Sequence, residues 1–142
     1  MNNVNENKKS NVKLIKHFIK DLSFENPQSI NDVNLDYRNN NNINFNMKIL
    51  HEIYENNHFS LILKYTVDCT TKHNNKKLCH LELEYFGFFK ILIKNETDQK
   101  VLTESGLKTI FPFAKDIIEN VTRWGGSFPI SLKSVDLSLV EN

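Results

Sequence analysis

The chain has 142 residues, of which 39% are hydrophobic and 25% are charged, and its formal net charge is +1. This length suits one domain with its own core, and the apolar content excludes the composition of a disordered chain. No apolar run approaches the length of a membrane span, and residues 1–10 lack the apolar stretch of a signal peptide. We therefore expect a folded cytoplasmic protein whose two cysteines stay reduced.

The beginning of the chain predicts a tail followed by a strand. Residues 1–11 are polar, and we expect a disordered tail there. Residues 12–24 are rich in β-branched and aromatic residues and predict a strand. Its apolar residues share one parity, which predicts that they lie on one face: Leu14, Phe18, Leu22 and Phe24. Pro27 ends this strand, and 26–45 is a long polar segment without a clear period.

Three further runs with a period of two predict strands. Met47–Glu55 and Phe59–Asp68 are separated by an asparagine pair, which favours a two-residue hairpin turn. The third run, Leu78–Lys94, alternates over its whole length. Aromatic side chains occupy both faces of Tyr85–Phe89. One face can pack on helices, and the other is expected to meet another molecule, because a large exposed apolar patch marks an interface or a binding surface.

The end of the chain predicts helices. From Leu107 to Val121, apolar residues recur at the spacing of one helical stripe. Pro112 lies inside this stripe, so the helix is either kinked there or begins near Phe111. The glycine pair at 125–126 ends the helix, and Val135–Val140 is a candidate for a last short helix. Strands followed by helices predict an α+β fold.

No set of residues in the sequence predicts catalysis. There is no glycine-rich phosphate loop and no hydrolase or metalloprotease motif. The group Cys69, His73, Cys79 and His80 has the spacing of no standard zinc site. The two cysteines are expected to face each other across a hairpin, and His80 points to the opposite face from Cys79. We expect no metal, and the lysines near the amino terminus lack the interleaved aromatics of a nucleic-acid site.

Three segments resemble, in order, the motifs of one known family, and a fourth lies where that family has its ending motif. They are Lys20–Pro27, which is Lys-Asp-Leu-Ser-Phe-Glu-Asn-Pro; Ile110–Ile118, which contains Phe-Pro-Phe-Ala-Lys; Thr122–Leu132, which contains Gly-Gly-Ser-Phe-Pro; and Val135-Asp136-Leu137. In these segments the chain resembles the SecB family of bacterial protein-export chaperones. The resemblance implies a four-stranded antiparallel sheet with helices on one face. It makes residues 12–140 a single domain and implies assembly as a homotetramer, a dimer of dimers.

The resemblance also implies a function and its residues. SecB-like chaperones hold unfolded secretory preproteins in hydrophobic grooves without ATP, keep them translocation-competent and deliver them to the SecA motor; the resemblance therefore implies no enzyme activity, no cofactor, no nucleic acid and no membrane insertion. The SecA-binding residues would be the outer-face carboxylates Asp21, Glu25 and Glu82. The client groove would include Ile30, Leu35, Ile43, Phe45, Phe113, Trp124, Phe128 and Leu132. The helix stripe has two alternative roles, as a contact between copies in the oligomer or as part of the chain's own core. Its residues are Leu107, Ile110, Ala114, Ile117 and Val121.

Two alternatives stay open at this point. A SecB-like holdase could serve a dedicated client without any role in export. A small hydrolase or transferase could use Cys79 or His80, which would require a thiol with a lowered pKa. This chain also departs from the family it resembles, because the family is strongly acidic and tends to have an aliphatic residue where His80 stands. Weaker electrostatic steering toward SecA is therefore expected.

Overall fold

The described part of the protein forms one antiparallel sheet with a long helix against it. The computed structural model describes residues 11–31, 37–93 and 98–133. Its elements, in chain order, are β1 (Val12–Glu25), β2 (Asn41–Tyr54), β3 (His58–Thr71), β4 (Lys77–Ile91) and α1 (Gln99–Trp124). The strands lie in the order β1-β4-β3-β2, and every neighbouring pair is antiparallel. The predicted α+β class is confirmed, with one helix in the described ranges, while Val135–Val140 lies outside them.

Strand β2 is longer than its periodicity predicts. It begins at Asn41, so the last part of the segment predicted to be irregular is a strand paired with β3. Asparagine has a poor strand propensity, but backbone pairing with a buried neighbouring strand overrides a weak local preference. The β2–β3 connection has three residues rather than two, because Tyr54 pairs with His58. Asn56 and Asn57 have φ angles of 62° and 61°, a conformation that asparagine tolerates better than most residues.

Strand β1 carries two bulges that change which face its side chains occupy. Its register with β4 shifts at Ile15 and again at Lys20. Each extra residue reverses the alternation between the two faces of the sheet. Leu14, Leu22 and Phe24 therefore lie opposite the helix-facing residues of β4, whereas Phe18 lies opposite Phe86 on the other face. The prediction that all four share one face is wrong for Phe18.

The core lies between α1 and the face of the sheet that α1 covers, which we call the inner face. Alternate residues of β3 and β4 are buried there, as their period predicts, among them Phe59, Leu61, Leu63, Leu81, Leu83 and Phe89. The rings of Phe59 and Phe89 stack with their centroids 4.9 Å apart. Gly106 brings the helix close to this layer, since a Cβ atom there would lie 2.6 Å from Leu61 Cδ1.

Helix α1 begins at Gln99, earlier than the apolar stripe predicts, and it continues past Pro112. Asp98 caps it by accepting a hydrogen bond from the Lys100 amide at 3.0 Å. Pro112 is exposed, so the Lys108 carbonyl, which loses its helical donor there, lies on the solvent side. The predicted end at Gly125 is confirmed. Beyond it, the buried Thr122 hydroxyl accepts from the Ile130 amide at 2.9 Å, which ties the following extended segment to the core.

The hydroxyl of Tyr65 is buried on β3 and has no hydrogen-bond partner in the described part of the chain. Burial also raises the pKa of this phenol. Burying a hydroxyl group that makes no hydrogen bond costs desolvation free energy that nothing offsets. We therefore expect Tyr65→Phe to raise the free energy of unfolding by about 1 kcal/mol. Urea denaturation measures this. The matched control is Tyr85→Phe, which removes a hydroxyl bonded to His17 Nδ1 and should destabilise. A loss of stability in Tyr65→Phe would show that the hydroxyl is satisfied.

Candidate functional site

The face of the sheet opposite α1, the outer face, carries a group of carboxylates at one end. The bulge at Lys20 places Asp21 opposite Glu84, after which Ser23 lies opposite Glu82 and Glu25 opposite His80. We call the carboxylates at this end the acidic patch: Asp21, Glu25, Asp68, Glu82 and Glu84. The three residues predicted for SecA binding thus lie side by side on one exposed surface. Their proposed role remains a prediction.

His80 lies within the acidic patch and pairs with two of its carboxylates. Its Nδ1 is 2.6 Å from Asp68 Oδ1, and its Nε2 is 3.1 Å from Glu82 Oε1. The hydrogen bond to Asp68, followed by that to Glu82, raises the pKa of the imidazole. Lys64 Nζ pairs with Glu84 at 3.1 Å, so part of the patch is neutralised from within. As predicted, Cys79 lies on the inner face opposite Cys69, and His80 faces away from it.

The His80 pairs predict a defined pH dependence of stability. Because the folded pKa is raised, the contribution of the imidazolium is fully present below the unfolded pKa of about 6.5 and is lost as pH rises through the folded pKa. We expect His80→Gln to lower the midpoint of thermal unfolding more at pH 6 than at pH 9. Thermal scans of both proteins at both pH values measure this. An equal difference at the two values would contradict the assignment of the pairs to a charged His80.

An apolar groove runs between β1 and α1. It lies at the β1 edge of the sheet, whereas β2 forms the other edge. It has a volume of about 460 Å³ and is open to solvent. We call it the β1–α1 groove; its lining is Ile19, Leu22, Tyr85, Phe113, Asp116, Ile117, Asn120, Val121 and Trp124. The centroid of the Phe113 ring lies 4.3 Å from that of His17 and 6.3 Å from that of Tyr85. Phe113 is 41% exposed. Trp124, the last residue of α1, is 76% exposed.

The predicted client-binding residues do not form one site. Phe113 and Trp124 line the groove, but the others that the structure describes do not. Ile30 is exposed in the loop after β1, and Ile43 and Phe45 lie on β2 at the far edge of the sheet. Phe128 packs against the core and Leu132 is buried. Leu35 lies outside the described residues.

Sequence reasoning missed the β1 and β4 walls of the groove. Ile19 and Leu22 both reach the groove because the bulge at Lys20 lies between them. The alternation of β4 predicts that Tyr85 lies on the inner face. It does not predict which residues of β1 and α1 lie across the groove from Tyr85, because the packing of the three elements decides that. Asp116 and Asn120 are polar residues of the exposed helix face, and nothing in their spacing marks a binding site.

The helix stripe divides into two groups. Leu107, Ile110 and Ala114 are fully buried against the chain's own sheet, which matches the core interpretation and leaves them no free area. Ile117 and Val121 are partly buried and line the groove. In the described ranges, no group of His, Cys, Asp and Glu residues could hold a metal ion, and no helix is apolar enough to cross a membrane.

Comparison with solved structures defines the class of fold. A SecB-like chaperone of Mycobacterium tuberculosis, solved with a peptide from an antitoxin, superposes with a TM-score of 0.69 over 89% of this chain and 91% of its own, at 8% identity. The chain therefore has a SecB-like chaperone fold. At this identity the likeness shows the fold alone.

Sequence comparison then shows the family. The family model described as preprotein translocase subunit SecB matches residues 5–140. The protein-export protein SecB of Orientia tsutsugamushi strain Boryong is 33% identical over 123 residues, which are 85% of this chain and 75% of that protein. The SecB of Dinoroseobacter shibae is 30% identical, over 88% of this chain and 73% of that protein. The chain belongs to the SecB family of protein-export chaperones, whose members are not enzymes.

Proposed function

We propose that this protein is an ATP-independent holdase that binds unfolded preproteins, keeps them translocation-competent and delivers them to the SecA motor in the cytoplasm. The observation that carries the proposal is the β1–α1 groove, an open apolar surface with the exposed aromatic residues Phe113 and Trp124. Exposed apolar surface of this kind marks a binding site. A lining of aromatic and aliphatic side chains accepts many sequences, because it offers few directional contacts that would select one.

A homotetramer would suit a long client. Several weak grooves on one assembly hold a single unfolded chain far more tightly than one groove does. Of the helix residues predicted for the oligomer contact, Ile117 and Val121 keep surface outside the core. We propose that copies meet beside these two residues, where a second chain would lengthen the groove. The single domain at 12–140 remains part of this proposal, whereas residues 1–10 of the predicted tail at 1–11 lie outside the described residues.

The acidic patch is the proposed docking site for SecA. Asp21, Glu25 and Glu82 lie on the outer face, while the groove lies on the helix side, so a client and the motor would bind to different surfaces. Clustered carboxylates steer a basic partner and fix its register. The pairs made by Lys64 and His80 weaken this field and fit a motor interaction that is sensitive to salt and pH.

The first test of the proposal is client binding. The full chain is mixed with a chemically unfolded secretory precursor, and light scattering on a sizing column measures mass. We expect a mass near four protomers that increases with the unfolded precursor and not with the folded one. The double variant Phe113→Ser/Trp124→Ala should weaken precursor binding at least about tenfold, because large apolar anchors carry most binding energy.

The matched control for the groove is Ile53→Ser, which removes an apolar residue at the end of β2 whose exposure, 55%, lies between those of Phe113 and Trp124. Precursor affinity should not change in this variant. If both variants lose affinity equally, the groove is not the client site. A protein that holds precursors but does not bind SecA would instead be the general holdase for a dedicated client. A monomer that ignores unfolded chains would contradict the proposal.

A further inference from the structure

Two cysteines face each other on the inner face of the sheet, and the proposed function uses neither of them. Cys69 of β3 and Cys79 of β4 are direct partners in the register of the two strands. Both side chains are fully buried, and both thiols are free. A hydrogen bond links the two sulfur atoms. The fold therefore holds a pair of thiols in contact, which we call the thiol pair.

The position of the thiol pair in the sheet suits a disulfide. Directly opposite residues of antiparallel strands have Cα atoms about 4.5–5.5 Å apart, and disulfides join Cα atoms that are about 4.4–6.8 Å apart. The next pair in the register is Thr70 with Lys77, so Leu78 is an extra residue in β4. An extra residue bends and twists its strand locally, which gives the strand room to adjust to a cross-link. A bond between the two sulfur atoms therefore fits this part of the sheet.

The two members of the thiol pair differ in their chemistry. The Cys69 thiol donates a hydrogen bond to the sulfur of Cys79, and the Ser127 hydroxyl donates a second one. These bonds stabilise the thiolate of Cys79 and lower its pKa, although burial opposes them. The same hydrogen bond, together with burial, raises the pKa of Cys69. Cys79 is therefore the nucleophile of the thiol pair, and Cys69 is the thiol that stays protonated beside it.

The segment that follows α1 lies over Cys79. Ser127, whose hydroxyl binds the Cys79 sulfur, is itself only partly buried. Residues 127–133, which we call the covering segment, form no helix or strand. The covering segment is fastened at Thr122, whose hydroxyl accepts from the Ile130 amide at 2.9 Å. An irregular segment opens at a lower free-energy cost than a paired strand, so Cys79 can meet a small reagent while the sheet stays folded.

We propose that the thiol pair is a redox modification site, at which Cys69 and Cys79 form a reversible disulfide on reaction with hydrogen peroxide. The Cys79 thiolate attacks one peroxide oxygen, the O–O bond breaks, and Cys79 becomes a sulfenic acid while the released hydroxide takes up a proton. The Cys69 sulfur loses its proton and attacks the Cys79 sulfur, and the sulfenic oxygen leaves as a second water. The two thiols together lose two electrons and two protons, and one peroxide becomes two water molecules.

A transient disulfide suits the thiol pair better than a permanent one. Thiols of cytoplasmic proteins are kept reduced, and the disulfides that do form there are usually transient. Exchange with a small thiol would reverse the bond between Cys69 and Cys79. The covering segment limits both reactions to the moments when it is open, so the rate of oxidation depends on that segment. The inference does not depend on the binding of precursors or of SecA.

The first experiment treats the folded full chain with hydrogen peroxide, unfolds it in the presence of a maleimide, and measures the intact mass. We expect a monomer that is two hydrogen atoms lighter and takes up no maleimide, and dithiothreitol should restore both thiols. Cys69→Ser keeps a donor to the Cys79 sulfur and should stop at the sulfenic acid, which dimedone labels. The matched control, Cys79→Ser, should be labelled at least about tenfold more slowly, because Cys69 stays protonated.

The second experiment compares rates of oxidation in two variants that should change in opposite directions. Ser127→Ala removes one donor from the Cys79 thiolate, so oxidation should be severalfold slower. Thr122→Val keeps the shape of the side chain but removes the hydroxyl that holds Ile130. The covering segment should then open more often, and oxidation should be severalfold faster. Circular dichroism of both variants checks that the sheet and the helix are intact.

Three results would overturn the proposal. Thiols that stay reduced until the chain is unfolded would show that Cys69 and Cys79 only fill the core. Disulfides that form between chains rather than within one would contradict the pairing of these two residues. Equal dimedone labelling of the two serine variants would contradict the assignment of Cys79 as the nucleophile. Any of these results, with precursor and SecA binding intact, would refute this inference alone and leave the proposed function standing.

Discussion

Glu82→Lys is expected to abolish measurable SecA binding while leaving precursor affinity unchanged. Glu82 has a side chain that is 60% exposed and lies between Ser23 and Thr66 on the outer face, so the substitution does not disturb the core. It replaces a carboxylate by an ammonium group near Asp21 and Glu25, and a basic docking element then meets repulsion where it had attraction. A loss of at least about 100-fold is expected from reversing a central interface charge.

Isothermal titration with purified SecA, followed by precursor binding, tests this prediction. The matched control is Glu52→Lys, the same charge reversal on the same face but at the opposite edge of the sheet. It should bind SecA as the unmodified chain does. Unchanged SecA affinity in Glu82→Lys, or an equal loss of affinity in both variants, would contradict the assignment of the docking site to the acidic patch. Loss of precursor binding in Glu82→Lys would show that the two surfaces are not separate.

The second large effect concerns the helix stripe. Ile110→Ala should lower the free energy of unfolding by about 2–5 kcal/mol, because it leaves a cavity in a fully buried site. The loss should be the same at every protein concentration if Ile110 packs only against its own chain. A residue at an oligomer contact behaves differently, since its stability contribution depends on protomer concentration by mass action.

Ile117→Ala is the control for this prediction, since Ile117 belongs to the same stripe but is only partly buried and borders the groove. Its effect on unfolding should be smaller and, if copies meet there, should shrink as the protein is diluted, because dilution separates the copies of the unmodified chain as well. Denaturation at several concentrations measures both variants. A concentration-dependent loss of unfolding free energy in Ile110→Ala would show that Ile110 contributes to an oligomer interface. A concentration-independent effect for both would argue against a contact on this side of α1.

Periodicity predicted the elements of the core well. Strict alternation in β3 and β4 predicted which of their residues are buried, and the stripe from Leu107 to Val121 predicted a helix that ends at Gly125. These signals are local, because a strand with one buried face must alternate and a helix must repeat its apolar residues every three or four positions. The matching positions of Cys69 and Cys79 followed from the same alternation carried across a hairpin.

Other features depended on partners that are distant in sequence. The bulges of β1 are defined only by its register with β4, and without them Phe18 is placed on the wrong face and Asp21 has no known neighbours. The early start of β2 depends on pairing with β3, which overrides the poor strand propensity of asparagine. The groove residues Ile19, Tyr85 and Asn120 come from three elements, so no motif contains them.

The sequence by itself determined the α+β class, the order of the elements and, through its motifs, membership of the SecB family. These are properties of residue type and spacing, which each segment carries alone. Only the tertiary structure decided that Ile110 is core while Ile117 borders a groove, and that the carboxylates Asp21 and Glu82 are neighbours. The reason is that a stripe or an alternating strand defines a face, whereas burial and adjacency are defined by the element that packs against that face.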